Sequence, residues 1–378
     1  MTTHSDDRPA SSVTVRLDAP GELIAALPAM LGFVPQRSLV LICLRIDDGG
    51  TITAGTVMRH DLDVPECRRF AGTTLYVIPD RMLEVIDRFA TQCEREDVLD
   101  AIAVVVDDRG AATMSGPVGD ARYEVLAQCV IDDFGARGTD VLRVLFTPEI
   151  AAGAEWASLD GMEEWGRVGD PRTSPVALAY AMEGRFVQPS RERLADAVQP
   201  VDDETSRRVA DLMPQARGER HDSDGTHLSR ILDILDRAHT HSPDAAPVLD
   251  ITADTAATIG AALGRLPVRD SLLALVLTEM AHVAEMLWAT LTRVLPAPER
   301  ATAACLLAFS AYSRGDGAMA VIALEVALDA DPEHSLARLL DRSLSAGAGP
   351  ALIREVALSG YATADKCGVR LPLPLAAP

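Results

Sequence analysis

The sequence predicts a protein of two domains, an α/β domain followed by an all-α region. Apolar runs typical of buried strands alternate with amphipathic helical segments between residues 38 and 147, the pattern of a sheet covered by helices. From about residue 200 to about residue 360, nearly every segment has helical periodicity. We predict a disordered lead-in at 1–12, an α/β domain at 13–200, a helical domain at 201–365 and an extended, Pro-rich tail at 366–378.

The first predicted elements are a helix and a hairpin. Asp18 is a favourable N-cap and Gly32 a favourable stop for a helix whose apolar residues recur at helical spacing. The apolar run 38–45 then predicts a buried strand, DDGG at 47–50 a tight turn, and residues 51–62 the partner strand. We expect this hairpin to extend the sheet antiparallel.

Strands and helices then alternate through the rest of the α/β domain. The strands are predicted at 74–78, 101–108 and 141–147, and the helices at 80–96 and 120–138. Because these strands are apolar on both faces, the alternation predicts a mixed, mostly parallel sheet with helices on its faces.

Two apolar stretches mark the helical domain. Residues 271–291 are interrupted by Glu279, His282 and Glu285, so they predict a buried helix and not a membrane span. Residues 301–332 have the small and apolar positions of a tetratricopeptide-like helix hairpin, ended by Pro332. One such hairpin is present, whereas a solenoid needs about three repeats, so an ordinary helix hairpin is the alternative interpretation.

Charge and cysteine usage exclude several classes of protein. With 35 basic and 56 acidic residues the net charge is -21, which disfavours nucleic acid and anionic membranes as partners. The six cysteines are scattered without a C-x-x-C unit, as expected of thiols in a reducing cytoplasm. The polar N-terminal residues 1–12 do not have the apolar core of a secretory signal. We therefore predict a cytoplasmic protein.

A candidate ligand site follows from the predicted sheet. Asp107, Asp108 and Arg109 come directly after a buried strand, at the carboxyl edge where open α/β sheets bind ligands. Thr147 ends the next strand, and Asp170 and Arg172 lie in a polar segment further on. We expect these side chains to converge on one cleft, although acidic residues after strands are also ordinary turn formers.

No metal site and no cofactor is predicted. Glu279 and His282 have the E-x-x-H spacing of carboxylate-bridged di-iron sites, but no second copy occurs. The His and Asp residues between 221 and 241 match no known ligand spacing, and a solvated loop explains them. Walker, dinucleotide-binding, nucleophile-elbow and zinc-protease motifs are absent from the sequence, which removes most support for the common enzyme classes.

Three segments carry a family resemblance. LDAPGELIAALPAMLGFVPQRSLVLICL resembles the N-terminal signature of an actinobacterial family of uncharacterised proteins, the domain of unknown function numbered 4192. The segments 169–194 and 306–350 agree with it in the same order. The resemblance implies no activity. A cysteine-containing loop typical of the family should follow Trp156 and Ser158, but DGMEEWGRV contains no cysteine.

The favoured functional hypothesis is a protein-binding or scaffold module that uses its helical region. It places Tyr312 and Arg314 of the predicted hairpin on an exposed groove that contacts a protein partner. The alternative is an enzyme or small-molecule sensor with its cleft at the carboxyl edge of the sheet. The sequence gives no indication of the oligomeric state.

Overall fold

A computed structural model describes residues 19–46, 52–70, 73–111, 120–182, 187–201, 204–218, 222–240, 249, 251–345 and 350–375. The lead-in at 1–12, the Asp18 cap and the turn at 47–50 lie outside these residues. The chain divides into two compact units between Arg191 and Glu192, and each unit is described by itself.

The N-terminal unit is built around a sheet of six strands. Its strands are β1 (Ser38–Ile46), β2 (Ile52–Asp61), β5 (Asp100–Val106), β6 (Asp140–Thr147), β7 (Glu155–Ser158) and β8 (Trp165–Arg167), in the spatial order β2-β1-β5-β6-β7-β8. Strands β3 (Glu66–Phe70) and β4 (Thr73–Val77) pair with each other in a separate two-stranded sheet. The helices of this unit are α1 (Pro20–Leu31), α2 (Asp80–Arg95), α3 (Ala121–Gly135) and α4 (Pro175–Met182).

The sheet is mixed, as predicted, but the prediction that it is mostly parallel is wrong. Only β5 and β6 pair in parallel, whereas the other four pairings of the six-stranded sheet are antiparallel. The predicted strand at 74–78 corresponds to β4, which pairs with β3 outside the main sheet. Its Leu75 and Val77 are exposed, so β4 is not the buried central strand that its apolar residues suggest. A parallel crossover therefore occurs at β5-α3-β6, and β1 accepts β5 in the antiparallel direction.

Both faces of the central strands are buried, as the apolar runs predict. Side chains of β1, β5 and β6 pack on one face against apolar residues of α2 and α3, including Ile86 and Phe134. The intervening residues Val40, Ile42 and Val104 point to the opposite face and are also buried. The core of this unit is therefore centred on β1, β5 and β6.

The C-terminal unit is helical. Its helices are α5 (Arg191–Asp196), which begins at the division, α6 (Glu204–Gly218), α7 (Asp224–Thr240), α8 (Ala253–Leu263), α9 (Leu266–Leu272), α10 (Ala281–Val294), α11 (Glu299–Ser313), α12 (Gly317–Ala330), α13 (Ser335–Ser345) and α14 (Pro350–Lys366). The stretch 271–291 is not one helix, because a 3₁₀ turn at Leu273–Leu277 and the extended Thr278 separate α9 from α10. Glu279 and His282 consequently do not share a helix. No helix among the described residues is long and apolar enough to cross a membrane.

Helix α11 is the centre of the helical unit. Every residue of it except Arg300 is buried, and it packs against α8, α10, α12, α13 and α14. The predicted hairpin exists as α11 and α12, with Ala308 and Leu324 buried at the positions where the two helices must pack closely. Any tightly packed hairpin requires the same small and apolar positions, so this packing does not distinguish a tetratricopeptide-type unit.

The C-terminal tail lies against the helical unit. Residues 369–375 form no helix or strand. The Tyr361 hydroxyl donates a hydrogen bond to the Pro372 carbonyl at 2.9 Å, and the Leu375 amide donates to the Leu277 carbonyl at 2.7 Å. These two contacts attach the tail to α14 and to the 3₁₀ turn.

Candidate functional site

The predicted strand-edge residues lie at one end of the six-stranded sheet. Val106, the last residue of β5, is in register with Thr147 at the end of β6 and with Ser38 at the start of β1. Asp107 continues the ladder, because its amide donates to the Thr147 carbonyl at 3.1 Å. The topology therefore brings Asp107, Asp108, Arg109 and Thr147 together.

Asp107 is fully buried and both of its carboxylate oxygens are engaged. Oδ1 accepts from the Arg109 side chain at 2.7 Å and from the Arg109 amide at 3.1 Å. Oδ2 accepts from the Tyr123 hydroxyl at 2.8 Å. Burial and the Asp107 carboxylate raise the pKa of Tyr123, so the phenol stays protonated and remains a donor. Asp107 thus anchors the turn after β5 to helix α3.

Thr147 and Arg109 are also committed to backbone groups. The Thr147 hydroxyl lies 2.7 Å from the Glu149 carbonyl and 3.0 Å from the Glu155 carbonyl, and it is buried. The Arg109 guanidinium donates a second hydrogen bond, to the Leu62 carbonyl at 3.2 Å. These side chains satisfy buried polar groups of the sheet end, which leaves no unused acid or base among them.

Asp108 faces solvent and pairs with Arg37. The guanidinium donates to both carboxylate oxygens, at 2.7 and 3.1 Å, and this pairing lowers the pKa of Asp108. Arg37 has a positive φ of 44° in the connector before β1. Nearby, Arg59 donates to the Ser38 hydroxyl at 2.8 Å and stacks over Phe33. The arginines at this edge are therefore structural partners of neighbouring groups.

Asp170 and Arg172 form a separate local pair. The Arg172 amide and side chain donate to the Asp170 carboxylate within one turn, and Arg172 is 86% exposed at its side chain. Within the described ranges, no hydrogen bond or ion pair connects this turn with Asp107, Asp108, Arg109 or Thr147. The contacts of the six predicted residues therefore define two separate groups.

The expectation of an exposed Tyr312 is wrong. Tyr312 belongs to the buried central helix α11 and is 4% exposed. Arg314 follows it in the turn to α12 and pairs with Glu285 at 2.8 Å and with Asp316 at 3.0 Å. A helix that is apolar all round must lie in a core. These residues thus join α10, α11 and α12 and do not form an accessible groove.

A groove between α7 and α8 is the candidate site that sequence reasoning missed. It is lined by apolar, hydroxyl and charged side chains: His227, Arg230, Ile231, Asp233, Ile234, Arg237, Asp254, Thr255, Thr258, Ile259 and Ala262. Its volume is about 320 Å³, which is in the size range of small-molecule sites. The sequence gives the two helices, but nothing in it indicates which of their faces meet.

His227 is the unusual residue of this groove. It is 8% exposed, and its Nδ1 atom has no hydrogen-bond partner within the part of the chain that the structure describes. Burial lowers the pKa of His227, and the nearby Arg265 charge lowers it further. His227 is therefore a neutral imidazole at pH 7 with an unused hydrogen-bonding atom.

The His and Asp residues around His227 do not assemble a metal centre. Within the described ranges, no group of three or more His, Cys, Asp or Glu side chains is arranged to hold a metal ion. His221 and His241 lie outside the described residues. Asp222 and Asp224 pair instead with Arg230 and Arg265.

Comparison with known proteins identifies the family of the chain. The family model described as Domain of unknown function (DUF4192) matches residues 20–351, which include most of both units and end at the start of α14. No curated protein and no solved structure matches the chain. The matched range contains the connector before β1, the end of the sheet and the α7–α8 groove, and the chain therefore belongs to the DUF4192 family.

Proposed function

We propose that the protein is a protein-binding or scaffold module that engages its partner through the helical unit. The observation that supports this proposal is a concentration of exposed large apolar side chains at the C-terminal end of that unit. These are Leu339, Leu352, Val356, Leu358, Leu373 and Leu375. Leu373 and Leu375 are 85% and 63% exposed, although the tail is attached to the helices by hydrogen bonds.

Exposed large apolar side chains are more frequent at this end than in the rest of the helical unit. In the described part of α5–α12, the exposed large apolar side chains are Leu266 and Val321, whereas the shorter segment from α13 to the tail has six. Single exposed leucines are ordinary, but a concentration of them favours a surface that another protein covers. We name these six residues, which lie on α13, on two sides of α14 and on the tail, the C-terminal apolar surface. It replaces the buried α11–α12 groove as the place where a partner would bind.

The chemistry of the partner follows from charge. The net charge of -21 disfavours nucleic acid. Exposed apolar side chains that have the charged residues Arg338, Arg354 and Glu355 beside them in the sequence suit a protein with its own apolar contact residues. We propose a cytoplasmic location, because free cysteines such as the buried Cys43 and Cys93 are typical of a reducing compartment.

The test compares a variant of the C-terminal apolar surface with a matched control. The double variant Leu352→Ser and Val356→Ser changes exposed residues one helical turn apart on α14, and Leu266→Ser together with Val321→Ser changes exposed residues elsewhere on the same unit. Tagged full-length proteins are purified from the native host and the co-purified proteins are quantified by mass spectrometry.

We expect a partner that the wild type and the control retain and the α14 variant loses. All three proteins should unfold at about the same temperature, since exposed substitutions usually change stability by less than about 0.5 kcal/mol. Equal recovery of every co-purified protein by the wild type and the α14 variant would refute the proposed surface.

The second candidate is an enzyme or small-molecule sensor at the carboxyl edge of the sheet. Its support is the convergence of Asp107, Asp108, Arg109 and Thr147 at the ends of β5 and β6. Because these groups already bond to one another and to the backbone, a ligand there must displace internal hydrogen bonds. Replacement of exposed Asp108 by Asn should then weaken ligand binding without unfolding the protein, and unchanged metabolite retention in a native purification would count against this candidate.

A further inference from the structure

The α7–α8 groove combines three kinds of surface in one small volume. Its apolar part consists of Ile231, Ile234, Ile259 and Ala262, contributed by both helices. Hydroxyl groups come from α8, and charged side chains come from both helices. A site with an apolar floor and a few polar groups can orient a small organic molecule and exclude alternatives.

The charged groups of the groove are of both signs. Arg230 pairs with Asp222 through one terminal nitrogen, and within the described ranges its other guanidinium donors have no hydrogen bond. Asp233 and Asp254 form no ion pair in the described part of the chain, and only their backbone carbonyls accept hydrogen bonds, from Arg237 and Thr258. The groove therefore offers donors for an anionic group and carboxylates for a cationic group.

The wall of the groove also contains a buried imidazole with an unpartnered nitrogen. Buried polar atoms in folded proteins are almost always hydrogen-bonded, because an unsatisfied one retains its full desolvation cost. His227 lines the groove, is more than nine-tenths buried and has no partner for Nδ1 within the described residues. Nδ1 itself has almost no accessible surface, so a ligand would reach it only after a movement of the groove wall.

We propose that the α7–α8 groove binds a small zwitterion with an aliphatic body, the chemistry of an α-amino acid with a branched aliphatic side chain. The carboxylate of the ligand pairs with Arg230, its ammonium pairs with Asp254 or Asp233, and its hydrocarbon part lies on the isoleucines. This inference goes beyond the proposed function and uses none of the C-terminal apolar surface, so either can fail while the other holds.

Binding is tested with four probes on the full-length protein. L-leucine has both charges and a branched body, isopentylamine lacks the carboxylate, 4-methylpentanoate lacks the ammonium, and glycine lacks the body. Saturation-transfer NMR detects binding and isothermal titration calorimetry measures the dissociation constant. We expect saturable binding of L-leucine and at least about tenfold weaker binding of each of the other three, which is the loss of one charged or apolar contact.

Variants then assign the binding to the groove. Arg230→Gln and Asp254→Asn should each weaken L-leucine binding about tenfold. The matched control Arg208→Gln removes an exposed arginine of α6 and should leave the dissociation constant unchanged. All three positions are exposed, so the variants should fold, and thermal unfolding checks this.

Three results would overturn the inference. The first is no saturable binding of L-leucine by the wild type. The second is equal affinity for L-leucine and for isopentylamine or 4-methylpentanoate, because a zwitterion site must require both charges. The third is unchanged affinity in both Arg230→Gln and Asp254→Asn, because binding would then occur outside the groove.

Discussion

The end of the six-stranded sheet and the α7–α8 groove both contain buried polar side chains, but the two regions differ in whether those side chains have hydrogen-bond partners. At the sheet end, Asp107, Arg109 and Thr147 are buried or half-buried, and each has internal hydrogen-bond partners. In the groove, His227 is also buried, yet its Nδ1 atom has no partner in the described part of the chain. Polar groups that satisfy one another stabilise the fold, whereas an unsatisfied buried group costs stability. The position of a polar residue in the fold is therefore a weaker guide to function than the state of its hydrogen bonds.

The largest effect on stability should come from removing Asp107, which joins Arg109 and Tyr123 by hydrogen bonds at the end of the sheet. Asp107→Ala leaves the Tyr123 hydroxyl without its acceptor and Arg109 without its counter-charge. We expect the free energy of unfolding to fall by about 3 kcal/mol, measured by urea denaturation. The control Asp108→Asn removes an exposed pair with Arg37 and should have little effect. If both variants lost the same free energy of unfolding, burial would not explain how much each carboxylate contributes to stability.

The next largest effect should come from a substitution that tests how tightly Tyr123 and Phe146 pack against Gly110. A Cβ atom at Gly110 would lie 2.6 Å from Phe146 Cζ and 2.6 Å from Tyr123 Cε2. Gly110→Ala should therefore destabilise the protein by about 2 kcal/mol, because the two rings must move apart. The control is Gly135→Ala at the end of α3, where nothing lies within 4 Å, and it should stabilise by about 0.5 kcal/mol. The two variants are compared by thermal unfolding. If both changed the stability in the same direction, this explanation would be wrong.

A third prediction concerns His334, a buried histidine whose ring nitrogens both have hydrogen-bond partners, in contrast to His227. His334 Nδ1 accepts from the Ala337 amide at 3.2 Å, at the start of α13, and its Nε2 lies 3.3 Å from the Thr302 hydroxyl. His334→Ala should cost about 1–2 kcal/mol at pH 7.5, since it removes a helix cap and a buried contact. If the variant were as stable as the wild type in urea denaturation, the hydrogen bonds of His334 would not be contributing.

The smallest effect should be of the opposite sign. His227→Leu replaces an unsatisfied buried polar group by an apolar one of similar size. We expect the ligand-free protein to become more stable by about 1 kcal/mol at pH 7.5, measured by urea denaturation. A destabilised variant would show that the imidazole already has a favourable role in the free protein.

The pH dependence should distinguish His227→Leu from the wild type further. Burial lowers the pKa of His227 and of His334 below the unfolded value near 6.5. The unfolded state therefore takes up protons first, so stability is fully present above about pH 6.5 and declines as the pH falls toward the lowered folded pKa values. Because the variant loses one of these two groups, its stability advantage over the wild type should grow from pH 7.5 to pH 5.5. A constant difference across that range would mean that the pKa of His227 is not lowered.

Most elements of the fold were predictable because their signals are local. The strand at 38–45 and the helix at 80–96 are found at Ser38–Ile46 and Asp80–Arg95, since periodicity and punctuating Gly and Pro residues act over a few neighbours. The direction of strand pairing was not predictable in the same way. No local feature of β4 specifies that it pairs with β3 outside the main sheet, and none specifies that β5 pairs with β1 in the antiparallel direction.

The candidate sites also have one part that was predictable from the sequence and one part that was not. The sequence by itself determined most of the elements, the acidic net charge and the position of Asp107 near Thr147, because the carboxyl ends of parallel strands meet at one edge. Only the tertiary structure decided that Tyr123 occupies the second oxygen of Asp107 and that α7 and α8 enclose His227 without a partner in the described residues. Hydrogen-bond satisfaction depends on which atoms come within about 3 Å across distant segments, and no pattern along the chain specifies those distances.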